Sequence, residues 1–130
     1  MNVKIKQSLE NFEKSIYFLQ SAAQIEKLDD LQPTGAVKCF EVCYELSWKL
    51  IQKMAAEDGK RINSPREAFQ HAFQSGWIKN DQNWIQMIAD RNLAVHTYDR
   101  ETAKTVWDSV QEHGISEFQT LLVVAKTWTG

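Results

Sequence analysis

Apolar side chains in this 130-residue chain return at every third or fourth position, and only two prolines and five glycines interrupt them. That spacing matches a helical turn and not the two-residue alternation of a strand, so helices should dominate and a sheet is not expected. Ile5, Leu9, Phe12, Ile16, Leu19 and Ala23 form a first stripe along one side of a helix about six turns long. After a loop around Asp29, Asp30, Pro33 and Gly35, a second stripe runs through Val37, Phe40, Tyr44, Trp48, Ile51 and Met54 and stops near Gly59.

A short helix is predicted from Ser64, which can cap it, with Pro65 at the first helical position, Glu67 completing a capping box and Gly76 at the end. Asp81 opens a fourth helix holding Trp84, Ile85, Met87, Ile88 and Ala89 and running toward His96; Thr97, Tyr98 and Asp99 break it, and Asp99 caps the next helix. The last helix uses Val106, Val110, Phe118, Leu121, Leu122 and Ala125, with Gly114 as a kink or a close helix contact. The expected fold is all-α, an antiparallel up-and-down four-helix bundle with an additional short helix, in one domain over residues 1–130.

Charge and spacing exclude several function classes. Fifteen basic against 17 acidic side chains leave a net charge of −2, far from the basic footprint of a protein held to nucleic acid by phosphate neutralisation alone. The longest apolar run, Leu121 to Ala125, is far short of the roughly 20 residues a membrane span needs. Lys4, Lys6, Glu10, Asn11 and Glu13 leave no signal-peptide stretch at the start, so a cytoplasmic protein is expected. Cys39 and Cys43 read as buried reduced thiols, and His71, His96 and His113 are too scattered for a metal-ligand motif. No phosphate loop, GxSxG elbow or HExxH pair is present, so neither metal nor cofactor is expected. The five tryptophans, Trp48, Trp77, Trp84, Trp107 and Trp128, fall mostly on the apolar stripes and read as packing groups.

One segment carries chemistry. From Arg91 to Tyr98 the chain gathers a guanidinium, an amide (Asn92), an imidazole (His96) and a phenol. Arginine offers a permanent fork for phosphate oxygens, and histidine titrates near neutral pH; together they supply what metal-free RNA cleavage requires. The same residues also admit a structural reading, with Arg91 paired to Asp90 or a neighbouring carboxylate, His96 closing a helix end and Tyr98 packed at the rim. On a continuous helix, residues five apart are separated by about 140°, so Arg91 and His96 of one chain would not converge on one phosphate. A two-fold dimer would bring two arginines and two histidines to one cleft.

Phe40-Glu-Val-Cys-Tyr-Glu-Leu-Ser-Trp-Lys49, the Ser64-Pro-Arg-Glu-Ala68 helix start and above all Arg91-Asn-Leu-Ala-Val-His96-Thr-Tyr98-Asp99 resemble the nucleotidyltransferase substrate-binding proteins of the HEPN superfamily. The resemblance covers nearly the whole chain. It implies a helical homodimer that associates with a minimal nucleotidyltransferase and takes RNA or a nucleotide as ligand. It further implies Arg91 and His96 as catalytic residues of a metal-independent endoribonuclease, Asn92 and Arg91 as substrate-binding residues, and Tyr98 as the target of adenylylation by the partner. A toxin of a toxin–antitoxin pair is the enzyme reading. A non-catalytic nucleotide- or substrate-binding subunit docked on the nucleotidyltransferase is the alternative.

Overall fold

The computed structural model describes residues 2–25 and 32–129; the expected loop residues Asp29 and Asp30 lie outside them. Helix α1 spans Val3–Gln24, α2 Gln32–Glu57, α3 Pro65–Gln74 and α4 Asp81–Leu93. A 3₁₀ turn, Ala94–His96, comes after α4, and then α5 (Arg100–Ser109) passes through a π turn (Val110–Gly114) into α6 (Ile115–Thr127). Among the described residues the elements are all helical, and no helix is long and apolar enough to cross a membrane. Counting α5 through α6 as one bent rod, four long helices and the short α3 make the expected bundle.

Helix ends obey local chemistry. Asn2 caps α1 by accepting the Ile5 N–H at 2.8 Å, and Asn80 caps α4 by accepting the Asn83 N–H at 3.2 Å. Ser64 caps α3 as expected, its Oγ accepting the Glu67 N–H at 3.2 Å. Glu67 returns a bond to the Asn63 N–H at 3.1 Å, one residue before the cap, so the box closes a position early. Gly59 and Gly76, both at φ 78°, end α2 and α3 in the left-handed conformation that a side chain would strain. At each, the next residue's N–H reaches back to the helix: Lys60 to the Ala55 carbonyl at 2.9 Å, and Trp77 to the Ala72 carbonyl at 2.8 Å.

One expectation shifts. Pro33 and Gly35, placed in a loop by composition, lie in the first turn of α2. Proline is compatible there because a first-turn N–H has no intrahelical acceptor to lose. Trp84, Ile85, Met87, Ile88 and Ala89 lie on α4 as expected, and the packing chooses its inner face: Ile85 and Ala89 face solvent, and the inward line is Trp84, Met87, Asp90 and then Ala94. A large indole at Trp84 sets the helix rotation, and Ile85, one residue and about 100° further round, is turned outward.

Phe118 of α6 sits at the hub of the core. Its ring meets Phe12 of α1 at 6.0 Å, Phe40 of α2 at 6.2 Å and Trp84 of α4 at 5.7 Å between centroids. Trp77 is buried with Trp84, while Trp48, Trp107 and Trp128 are half-buried against the same cluster. Helix α4 runs antiparallel to the bent α5–α6 rod: Asn83 and Trp84 at its start donate to Glu117, and Asp90 near its end accepts from Ser109. Asn2 at the start of α1 donates to Glu57 at the end of α2, the same antiparallel relation. Gly114 ends the π turn with helical backbone angles, and an added Cβ would stand 3.5 Å from Met87 Sδ, an ordinary contact distance, so the close helix contact expected there does not demand glycine.

Candidate functional site

The segment from Arg91 to Tyr98 is shaped by one buried residue. Ala94, 2% exposed, turns into the core at the junction of α4 and the 3₁₀ turn, so its neighbours project outward. Asn92, Leu93, Val95, His96 and Tyr98 are exposed, and Arg91 is half-buried. The His96 carbonyl accepts the Asp99 N–H at 3.1 Å, closing the turn. Asp99 then caps α5 as expected, accepting the Glu101 N–H at 3.3 Å and the Thr102 hydroxyl at 2.9 Å. Thr34, at the start of α2, donates to the Thr97 carbonyl at 3.4 Å and ties the turn to the bundle.

His96 and Tyr98 are brought together. Nδ1 of the imidazole lies 3.1 Å from the phenolic oxygen, and the rings meet edge to face with centroids 5.7 Å apart. If Nδ1–H donates to the Tyr98 oxygen, Nε2 keeps its lone pair and can accept a proton; if the phenol donates to Nδ1, the neutral ring carries its hydrogen on Nε2 and offers it only as a hydrogen-bond donor. The tyrosine therefore biases which acid–base role the imidazole can play.

Arg91 stands apart from this pair. Among the described residues no carboxylate lies within ion-pair distance of its guanidinium, and no hydrogen bond joins it to His96 or Tyr98. The structural reading that paired it with Asp90 is not what the fold adopts. Its charge is felt instead by Tyr44 on α2: burial pushes that hydroxyl up to about 12, and the Arg91 guanidinium is the strongest influence in the opposite direction. A guanidinium presents a planar fork of N–H donors that matches the oxygens of an anion.

Asp90 turns the other way, into the core. It is 3% exposed and is the only charged side chain buried among the described residues. Its Oδ2 accepts from Ser109 Oγ at 2.7 Å and its Oδ1 from Gln86 Nε2 at 3.1 Å. Burial raises its carboxyl above the ordinary carboxylate range, opposed by these two hydrogen bonds and by the charge of His113. Sequence reasoning treated Asp90 only as a salt-bridge candidate. The missed signal is its phase: it lies three residues after Met87 and four before Ala94, on the inward face.

Among the described residues no three His, Cys, Asp or Glu side chains are grouped so as to hold a metal ion. Cys39 and Cys43 are free thiols; Cys43 is buried as expected while Cys39 is only half-buried, and burial pushes the Cys43 thiol up to about 12, opposed by the neighbouring Ser15 side chain.

Comparisons with known proteins agree with this architecture. A probable ribonuclease HepT of Haemophilus influenzae is 28% identical over 125 residues, 82% of this chain and 84% of that protein. A solved Haemophilus influenzae structure, described as revealing the fold of a substrate binding domain of a nucleotidyltransferase, superposes with a TM-score of 0.81 at 23% identity, over 92% of this chain and 99% of that one. A tri-AMPylated Shewanella oneidensis HEPN toxin, solved in complex with its MNT antitoxin, superposes with a TM-score of 0.78 at 21% identity, over 98% of this chain and 100% of that one. At these identities the two structures speak for a shared fold. The family model for nucleotidyltransferase substrate binding protein like sequences matches residues 7–126. With all but its ends inside that match and the HEPN fold beneath it, the chain belongs to the nucleotidyltransferase substrate binding protein like family.

Proposed function

We propose that this chain is the HEPN-type partner of a minimal nucleotidyltransferase and the toxin half of a toxin–antitoxin pair, cleaving RNA without a metal at a cleft formed by two copies. The observation that carries this reading is the His96–Tyr98 pair, 3.1 Å apart and solvent-exposed, on the same short segment as Arg91, which no carboxylate among the described residues holds. A relative named as a probable ribonuclease and a structural relative bound to an MNT antitoxin support it.

In this reading Arg91 binds the scissile phosphate and offsets charge that builds on its oxygens, while Asn92 orients the same group. His96 removes the proton from the ribose 2′-hydroxyl, or gives one to the departing 5′-oxygen, and the product carries a cyclic phosphate. Because Arg91 and His96 of one chain are not joined, the second copy completes the cleft. The partner transfers AMP from ATP to the Tyr98 oxygen, releasing pyrophosphate. That oxygen then has no hydrogen to donate and carries a bulky anion beside the imidazole, which silences His96 directly.

The test is incubation of purified wild type and His96→Ala with total RNA in excess chelator. Cleavage by wild type alone, with cyclic phosphate ends and a loss of about 100-fold or more in the variant, is the expected result. No cleavage by unmodified, dimeric wild type would overturn it. That outcome would favour the second reading, a non-catalytic substrate-binding subunit in which Arg91 grips a nucleotide phosphate, consistent with how the Haemophilus influenzae structural relative is described.

A further inference from the structure

Every residue of the candidate site lies between Asp90 and Ser109, and the 2.7 Å hydrogen bond between those two side chains closes the intervening chain into a loop. Asp90 immediately precedes Arg91 on the last turns of α4; Ser109 is the last residue of α5, the helix into which the His96–Tyr98 turn runs. We propose that Asp90 is a positioning residue for this site: its carboxylate, held between Ser109 Oγ and Gln86 Nε2, fixes the end of α4 that carries Arg91 against the helix that comes after His96 and Tyr98. The inference rests on the ribonuclease reading for its catalytic consequence and on the geometry alone for its structural one.

An aspartate is an expensive choice at this place. The surrounding inward positions, Trp84, Met87 and Ala94, are apolar, and an apolar residue at position 90 would avoid burying a charge. What an apolar side chain lacks is direction. Packing alone lets two helices slide or rotate slightly at small cost, whereas the 2.7 Å hydrogen bond from Ser109 on α5 to the Asp90 carboxylate defines the register of α4 on α5, and the Gln86 bond within α4 holds that carboxylate in place. The register matters here because Ala94 is the other inward anchor of the segment, leaving the 3₁₀ turn and the exposed residues beyond it without further burial of their own.

Asn at position 90 can keep the arrangement, since its oxygen accepts from Ser109 while its amide donates to a flipped Gln86 oxygen. Ala cannot, and Ser109→Ala removes one bond while leaving the carboxylate in place.

The experiment compares wild type, Asp90→Asn, Asp90→Ala and Ser109→Ala by NMR, tracking the Arg91 Nε–H and His96 Cε1–H signals, alongside the RNA cleavage rate in chelator and the thermal midpoint. Expected are displaced or broadened Arg91 and His96 signals in Asp90→Ala and Ser109→Ala, with wild-type-like signals in Asp90→Asn. Cleavage at saturating RNA should fall by about tenfold to 100-fold in Asp90→Ala, with apparent RNA affinity little changed, and be largely restored in Asp90→Asn. Signals that stay at their wild-type positions in folded Asp90→Ala or Ser109→Ala would overturn the proposal. Should Asp90→Ala not fold, Ser109→Ala decides. Should wild type not cleave RNA, the ribonuclease reading falls while the NMR comparison still decides the role of Asp90.

Discussion

Nδ1 of His96 and the phenolic oxygen of Tyr98 stand 3.1 Å apart across a single intervening residue, Thr97, at the surface of the bundle. The tight turn after the 3₁₀ segment makes this contact, since the His96 carbonyl holds the Asp99 N–H and folds the Tyr98 side chain back over the imidazole.

Tyr98 is 82% exposed, so Tyr98→Phe should change folding stability by no more than about 0.5 kcal/mol. In the presence of the nucleotidyltransferase partner and ATP, wild type should gain the mass of an adenylyl group, AMP less one water, and the variant should gain none at this position. Intact-mass measurement and then peptide mapping check both. A variant modified as fully as wild type would place the acceptor elsewhere.

Phe118 meets rings from three other helices and is fully buried, so Phe118→Ala should cost about 3–5 kcal/mol. Denaturant unfolding monitored by far-UV circular dichroism reads the loss as a lower midpoint. A midpoint equal to that of wild type would contradict the hub position.

Gly114 has helical backbone angles, and an added Cβ would reach ordinary contact distance from Met87 and Val110. Gly114→Ala should therefore stabilise the chain by about 0.5–1 kcal/mol, from a less flexible unfolded state and a filled contact. A fall in the thermal midpoint would mean that the π turn itself requires glycine.

The buried carboxyl of Asp90 makes a pH prediction with a definite sign. Its folded value is raised above the ordinary 3.8, so the folded chain holds this proton more tightly than the unfolded one. The cost of the buried charge is absent below 3.8 and complete once pH exceeds the raised folded value. Relative to wild type, Asp90→Asn should be most favoured at neutral pH, with the difference shrinking as pH falls toward 3.8. Thermal midpoints of the two proteins across this range test it, and a difference that grows on acidification would contradict the burial argument.

Much of the bundle is legible in the chain because its signals are local. Ser64 and Asp99 cap helices wherever the helices pack, and Gly59 and Gly76 stop them through backbone freedom alone. The start of α2 is less legible, since Pro33 and Gly35 suit a loop and a first helical turn equally well. The inner face of α4 is not legible, because apolar residues, Ile85 and Ala89 among them, occur on both sides of that helix, and only the packing of Trp84 against Phe69 and Phe118 selects one.

For the site the division is sharper. The residues themselves, Arg91, Asn92, His96 and Tyr98, are visible in one short stretch, as is the family they resemble. Which of them meet is a matter of tertiary structure: the chain leaves its α-helical path at Ala94, pairs His96 with Tyr98, and leaves Arg91 to act on Tyr44 across the helix interface. Asp90 shows the same limit, since its partner Ser109 lies 19 residues away on another helix. Sequence determines what depends on neighbours along the chain, namely period, caps and residue chemistry. Burial, helix rotation and contacts between distant side chains depend on how the helices pack together, and only the assembled bundle decides them.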